Sequence, residues 1–361
     1  MPTRRLLIVS SLLNLFPLLA GAQPTELVTA PVTASASTTL GRERVRLDEG
    51  WRFALGHASD YAQDFNHGTS YFSYLAKTGF GDGPASERFD DRAWREVRIP
   101  HDWAVELPFD PRGQASHGYK SIGRGFPATS VGWYRRTFTI PEQDLGRRIS
   151  FEFDGVYRAA RVFVNGFFVG EEPSGYLRAR YDVSEYLNYG GENVIAVRVD
   201  ATMPEGWYYE GAGIYRHVWL TKTAPLHVES DGVWVRSDVA PDGSAATLHL
   251  ESTLSNAGRE PAAYRLEFAV HGPTVNAPAL ANVRMDSATP LAPGARQTDR
   301  IAVVLPSPQL WDLDTPHLHT LVTSVYQGGQ LVDRVETRFG IRTIRFDPNH
   351  GFFLNGRHVV L

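Results

Sequence analysis

Apolar and polar residues alternate with a period of two along much of this chain, the pattern of strands that bury one face. Ile149, Phe151 and Phe153 share one side and Ser150, Glu152 and Asp154 the other, read as a buried face against a wet one. Val162-Phe163-Val164 and Phe167-Phe168-Val169 flank Asn165-Gly166, a dipeptide suited to the positive φ angles of a type I′ hairpin turn. Ile195, Val197 and Val199 face one way, while Val194, Ala196, Arg198 and Asp200 face the other. Asp200 therefore ends a strand at a sheet rim. Further on, Tyr264, Leu266, Phe268 and Val270 alternate with Arg265, Glu267 and Ala269, and Thr247 to Leu250 reads as another strand. Leu318, Thr320, Val322 and Ser324 oppose His319, Leu321, Thr323 and Val325, and Gly328-Gly329 turns into Leu331 to Thr337.

The same reading places the first strand near Val45, Leu47, Trp51 and Phe53, followed by a long loop from His57 to Arg88 with aromatic residues along it. Loops of that length are either functional or surface excursions pinned by their aromatics. Trp94, Val97 and Ile99 precede Pro100, which ends a strand. His101 and Asp102 are sequence neighbours on extended chain, so they point apart and are expected to play structural roles instead of pairing for acid–base work. Residues 108 to 132 form a second long loop before the strand Gly132 to Phe138. Glu171-Glu172 reads as a solvated loop.

Composition narrows the class. The 361 residues suit two domains plus extras, and 33 Gly, 23 Pro and 12% aromatic residues favour an all-β chain of short strands and turns. A net charge of -4 leaves no basic footprint for nucleic acid. With no cysteine, disulfides, thiolate metal sites and a cysteine nucleophile are excluded. Arg4-Arg5, the apolar run Leu6 to Leu19 and Ala20-Gly21-Ala22 read as a signal peptide over residues 1–22, implying a secreted or periplasmic protein with no membrane association after cleavage. Thr-, Ala-, Ser- and Pro-rich residues 23–40 read as a flexible linker. From Thr223 the pattern resets, and roughly seven strands over about 120 residues fit an immunoglobulin-like β-sandwich.

The strings D-D-R-A-W-R-E-V-R-I-P-H-D-W, V-G-W-Y-R-R-T-F, F-D-G-V-Y-R-A-A-R-V-F-V-N-G and G-A-G-I-Y-R-H-V-W-L, in that order, resemble the N-terminal sugar-binding domain of glycoside hydrolase family 2. The resemblance is greatest to β-galactosidases, with β-glucuronidases and β-mannosidases as relatives. It implies a jelly-roll sandwich over residues 41–223. L-W-D-L-D-T-P-H-L-H-T-L and R-F-G-I-R resemble the family's second domain, over residues 224–343. Residues 344–361 resemble the truncated lead-in to a catalytic (β/α)8 barrel, with Val359 to Leu361 where its first strand would begin. A barrel takes roughly 250 residues. The resemblance therefore implies that both carboxylates of a retaining mechanism lie outside these residues, that no residue here is catalytic, and that the fragment alone is inactive. It implies no cofactor.

What the resemblance does carry over is a sugar contact. Asp200 matches the family's aspartate that reaches from the first domain to a sugar hydroxyl, and a carboxylate can accept two such hydrogen bonds. As a bland alternative, Asp200 caps a turn. Many relatives carry Asn where Ala201 stands. Tyr208 and Glu210, like Trp207, lie in the following loop and either line a sugar site or pin the loop, and Thr129 falls near another sugar-contacting family position where Asn is commoner. The implied partner is a β-linked oligosaccharide or galactoside, and the rival reading is a free-standing carbohydrate-binding protein. His317 and His319 share a strand face but lack a third ligand, so no metal is expected.

Overall fold

The computed structural model describes residues 41–69, 81–204, 206, 209–274 and 278–360. The expected signal peptide and linker, and Trp207 and Tyr208, lie outside these residues. No helix among them is long and apolar enough to cross a membrane.

The first half contributes β1 (Glu43–Arg46), β2 (Trp51–Leu55), β3 (Arg95–Val97), β4 (Val131–Ile140), β5 (Arg148–Phe153), β6 (Ala160–Val164), β7 (Phe167–Glu172), β8 (Ala179–Asp182), β9 (Gly191–Asp200) and β10 (Val218–Thr223). They form a four-stranded sheet, β1-β10-β5-β8, and a six-stranded sheet, β3-β2-β4-β9-β6-β7. Trp51, Phe53, Tyr134, Phe138, Ile195 and Val197 from the larger sheet meet Ile149, Phe151, Phe153 and Leu220 from the smaller one in a single core. Each such fully buried apolar side chain stabilises the fold by about 1.5–3 kcal/mol. The hairpin at Asn165-Gly166 forms as the dipeptide requires, with φ of 50° and 85°. Asn165 also donates to Tyr186 O and Asn193 Oδ1 and accepts from Val194 N, tying the turn to the neighbouring strand.

Two expectations need correction here. The polar face of β5 is not wet: Ser150 and Glu152 are both buried, because Arg44 and Arg178 reach over Glu152 and Arg180 over Ser150. Glu171 and Glu172 are strand residues, paired with Arg161 and Ala160, and Arg161 neutralises Glu171 at 3.0 Å.

The second half contributes β11 (Leu226–Val239), β12 (Ala245–Asn256), β13 (Arg265–His271), β14 (Ala279–Asp286), β15 (Arg296–Pro306), β16 (His319–Gln327) and β17 (Gln330–Phe339). Sheets β11-β12-β15 and β14-β13-β16-β17 enclose Leu248, Leu250, Leu266, Phe268, Leu321 and Val325. Strict alternation along β13 puts Leu266, Phe268 and Val270 inside, and Gly328-Gly329 turns β16 into β17 at φ 57° and 82°. His319 is buried beside Phe339, so its strand position serves packing. Among the described residues no group of three His, Cys, Asp or Glu side chains could hold a metal. Residues 344–361, expected to lead into a barrel, fold through Val359 as an antiparallel sheet of β18 (Ile344–Asp347), β19 (Gly351–Leu354) and β20 (Arg357–Val359). No parallel barrel strand is present among the described residues.

A buried ion pair ties the start of the first sandwich to the second. Arg42 donates Nε and Nη2 to the two oxygens of Asp333 at 3.0 and 2.9 Å, and Asp333 is fully buried. The carboxylate also accepts from Val228 N and Arg334 N, while Arg42 caps Val228 O. Removing one partner of such a pair strands a buried charge. Asp333→Ala is expected to lower stability by about 3–5 kcal/mol in urea unfolding. In a double-mutant cycle the loss is not additive with Arg42→Ala; a cost near zero would show the clamp to be dispensable.

Candidate functional site

The rim at the end of β9 is built by main-chain bonds before any side chain is considered. Asp200 pairs with Val131, its N–H donates to Arg158 O at 3.0 Å, and Ala201 N–H donates to Ser130 O at 2.8 Å. Fully buried Ser130 in turn bonds both the N–H and the C=O of Gly123 and the C=O of Phe126, so the 121–130 loop is stapled beside this corner.

Asp200 keeps about 29% of its side chain exposed. One oxygen accepts from Thr202 N at 3.0 Å, an Asx turn, and the other from Arg198 Nη1 at 3.2 Å. Arg198 sits two residues back on the same strand face and donates Nε to Asp64 at 2.9 Å. Asp64 is buried; its second oxygen accepts from Trp133 Nε1 at 2.8 Å and from His57 N at 3.3 Å. A side chain at Gly56 would meet that oxygen at 2.1 Å, so the close approach requires glycine. The long 57–88 loop is thereby fixed: Phe65 packs on Phe89 and Trp94, and Ala58, Phe65 and Trp94 cover Val131, Trp133, Phe163 and Ala196 on the outer face of the six-stranded sheet.

The other expected site residues face different tasks. Thr129 donates its hydroxyl to Ser121 O, and its carbonyl accepts from Trp103 Nε1 at 2.8 Å, so its polar atoms shape the loop next to Asp200. Glu210 is buried, accepts from Gly206 N, and its own N–H donates to Ser116 O. Tyr208 lies outside the described residues. His101 and Asp102 do part company: His101 bonds the Tyr134 hydroxyl at 2.7 Å and Glu106 at 3.2 Å, while Asp102 accepts from Ala104 N, Ala212 N and the Tyr209 hydroxyl. Asp64 and Arg198 are the site residues that sequence reasoning missed. Arg198 carried a signal, sharing a strand face with Asp200; Asp64, inside an irregular loop, carried none.

Three histidines of the first sandwich are withdrawn from solvent, His117 fully and His67 and His101 in part. Both ring nitrogens of fully buried His117 lack a hydrogen-bond partner among the described residues, and burial pulls its pKa down against the opposing charges of Glu210 and Asp102. Burial likewise lowers His67, which packs on Trp133, and His101. Unfolded imidazoles take protons below about pH 6.5 while these folded ones resist, so the unfolded state binds more protons as pH falls. Stability is expected to be level above about pH 7 and to decline between about pH 6.5 and 5. Urea midpoints across that window check it, with a shallower slope for His117→Phe; a midpoint that rises on acidification contradicts the assignment.

The family model described as glycosyl hydrolases family 2, sugar binding domain, matches residues 45–224, and that described as glycosyl hydrolases family 2 matches residues 226–342. The chain is 36% identical over 325 residues to a β-galactosidase of Bacteroides ovatus, covering 90% of this chain and 34% of that protein. It is 28% identical over 279 residues to a β-glucuronidase of Bacteroides fragilis, covering 74% of this chain and 37% of that protein. A solved glycosyl hydrolase family 2 member from Bacteroides cellulosilyticus superposes with a TM-score of 0.73 at 30% identity, covering 87% of this chain and 37% of that one. The chain thus spans little more than a third of the length of these three relatives.

Proposed function

We propose, from the premise that this chain belongs to glycosyl hydrolases family 2, that it is the sugar-binding and immunoglobulin-like portion of a secreted or periplasmic enzyme that hydrolyses β-galactosidic bonds. In this reading the two carboxylates of a retaining mechanism, acid/base and nucleophile about 5 Å apart, belong to a barrel beyond these domains. The present residues supply Asp200, which accepts hydrogen bonds from sugar hydroxyls at the edge of that site.

The observation that carries the reading is the Asp64–Arg198–Asp200 arrangement. A carboxylate anchored by Arg198 and Thr202 N, yet still part-exposed, keeps lone pairs available to a ligand in a fixed direction. Asp64 and Asp200 flank a single guanidinium, so at neutral pH the trio carries a net negative charge. Such a corner offers a neutral galactoside a fixed acceptor for its hydroxyl groups. Nearby Arg124 and Arg158 are directed to the sulfur and carbonyl of Met203.

The chain by itself is expected to leave chromogenic β-galactosides, β-glucuronides and β-mannosides intact, and turnover of any of them overturns the reading. Grafted in place of the matching part of the Bacteroides ovatus β-galactosidase, it is expected to support galactoside hydrolysis. There Asp200→Ala costs about 10²-fold in kcat/KM, the scale of losing hydrogen bonds to a charged acceptor. Unchanged kinetics would remove Asp200 from the site, and submillimolar oligosaccharide binding by the unfused chain would favour a free-standing carbohydrate-binding protein.

A further inference from the structure

Where the two sandwiches meet, a groove of about 390 Å³ is lined by five arginines: Arg42, Arg44, Arg178, Arg180 and Arg338. Its walls come from β1, β5, β8, β10 and the residues leading into β1 and β8 on one side, and from β11 and β17 on the other.

Charge accounting in this groove leaves a surplus. Arg42 is satisfied by Asp333, Arg44 by Glu152 at 2.6 Å, and Arg178 by Asp231. The remaining acids of the groove are held from outside it, Glu229 by Arg296 at 2.6 Å and Glu336 by Arg334 at 2.9 Å. Arg180 and Arg338 are left without an ion pair among the described residues. Arg180 donates only Nε, to Ser150 Oγ at 3.1 Å. Arg180 keeps an exposed face; partial desolvation lowers its pKa and the like charge of Arg42 lowers it further, while Glu152, Glu229 and Asp182 act the other way. Two exposed guanidinium groups without an ion pair, on the wall of a concave polar groove, present donors that an anion can take up. Thr221 and Thr337 add hydroxyl groups to the same walls.

We propose that this inter-sandwich groove binds an acidic saccharide, its oxyanion, a uronate carboxylate or a sulfate ester, bridging the guanidinium groups of Arg180 and Arg338. Planar guanidinium forks suit both oxyanions. The saccharide half of the proposal rests on the family reading above, whereas the anion half rests on the groove alone. Asp200 is not among the residues lining this groove.

The test is calorimetric titration of the full chain, at low ionic strength and at about 0.15 M salt, where screening weakens exposed charge contacts. The ligands are a glucuronate-containing oligosaccharide, a sulfated galacto-oligosaccharide, the neutral galacto-oligosaccharide and inorganic sulfate. At least one acidic saccharide is expected to bind more tightly than the neutral one, less so in salt. Arg180→Gln and Arg338→Gln each weaken it about tenfold, and the double variant abolishes it. Arg180→Lys, which keeps the charge but not the fork, retains part of the affinity, and circular dichroism verifies that each variant is folded. Asp200→Ala leaves acidic-saccharide binding unchanged, even if it removes a separate interaction with the neutral sugar. The proposal is overturned if acidic and neutral saccharides bind alike, if the arginine variants bind as the parent does, or if Asp200→Ala abolishes acidic binding. Inorganic sulfate binding as tightly as the sulfated saccharide overturns the saccharide half.

Discussion

The buried carboxylate of Asp64 is the constraint on which the rim of the first sandwich depends. Burying a charge is costly unless donors surround it, and here they come from β4 through Trp133, from β9 through Arg198 and from the backbone of His57. None of these groups is near the others in sequence. The loop can close over the six-stranded sheet only when both strands are already paired, and that closure gives Arg198 its bearing on Asp200. A surface carboxylate with a defined orientation is thus the far end of a contact made in the interior.

This explains which features were legible beforehand. Period-two runs such as Leu266, Phe268 and Val270 declare their buried face locally, and Asn165-Gly166 and Gly328-Gly329 declare their turns through backbone conformation. Asp200 could be placed at a strand end for the same reason. Charge pairs between distant segments leave no periodic trace. Glu152 looked solvent-facing because alternation cannot register Arg44 arriving from β1 and Arg178 from the segment before β8. Asp64 looked like one more loop residue, and Arg42 and Asp333 are 291 positions apart. The polar half of a folding code is long-range here, while the apolar half is mostly local.

The two sandwiches also differ in how they treat charge. Within the first, arginines are drawn inward to cover carboxylates: Arg135, 2% exposed, reaches Asp91 and the carbonyls of Pro84 and Ser86. In the second, most ion pairs bridge neighbouring exposed positions, such as Arg334 with Glu336 and Arg284 with Asp286. Exposed pairs of that kind contribute little to stability, so the second sandwich leans on its apolar core and on the Arg42 clamp. The groove lies where these two habits meet.

The hairpin at Asn165-Gly166 has a consequence on the timescale of protein ageing. Asparagine is among the residues that heat damages first, and a following glycine leaves the least steric hindrance to cyclisation of its amide. Here the side-chain nitrogen is held by Tyr186 O and Asn193 Oδ1, and the oxygen by Val194 N. Deamidation would turn that nitrogen into a carboxylate oxygen facing two acceptors, with nothing left to donate. This turn is therefore also the sheet's chemical clock: intact while the fold holds the amide still, and unforgiving once it has run.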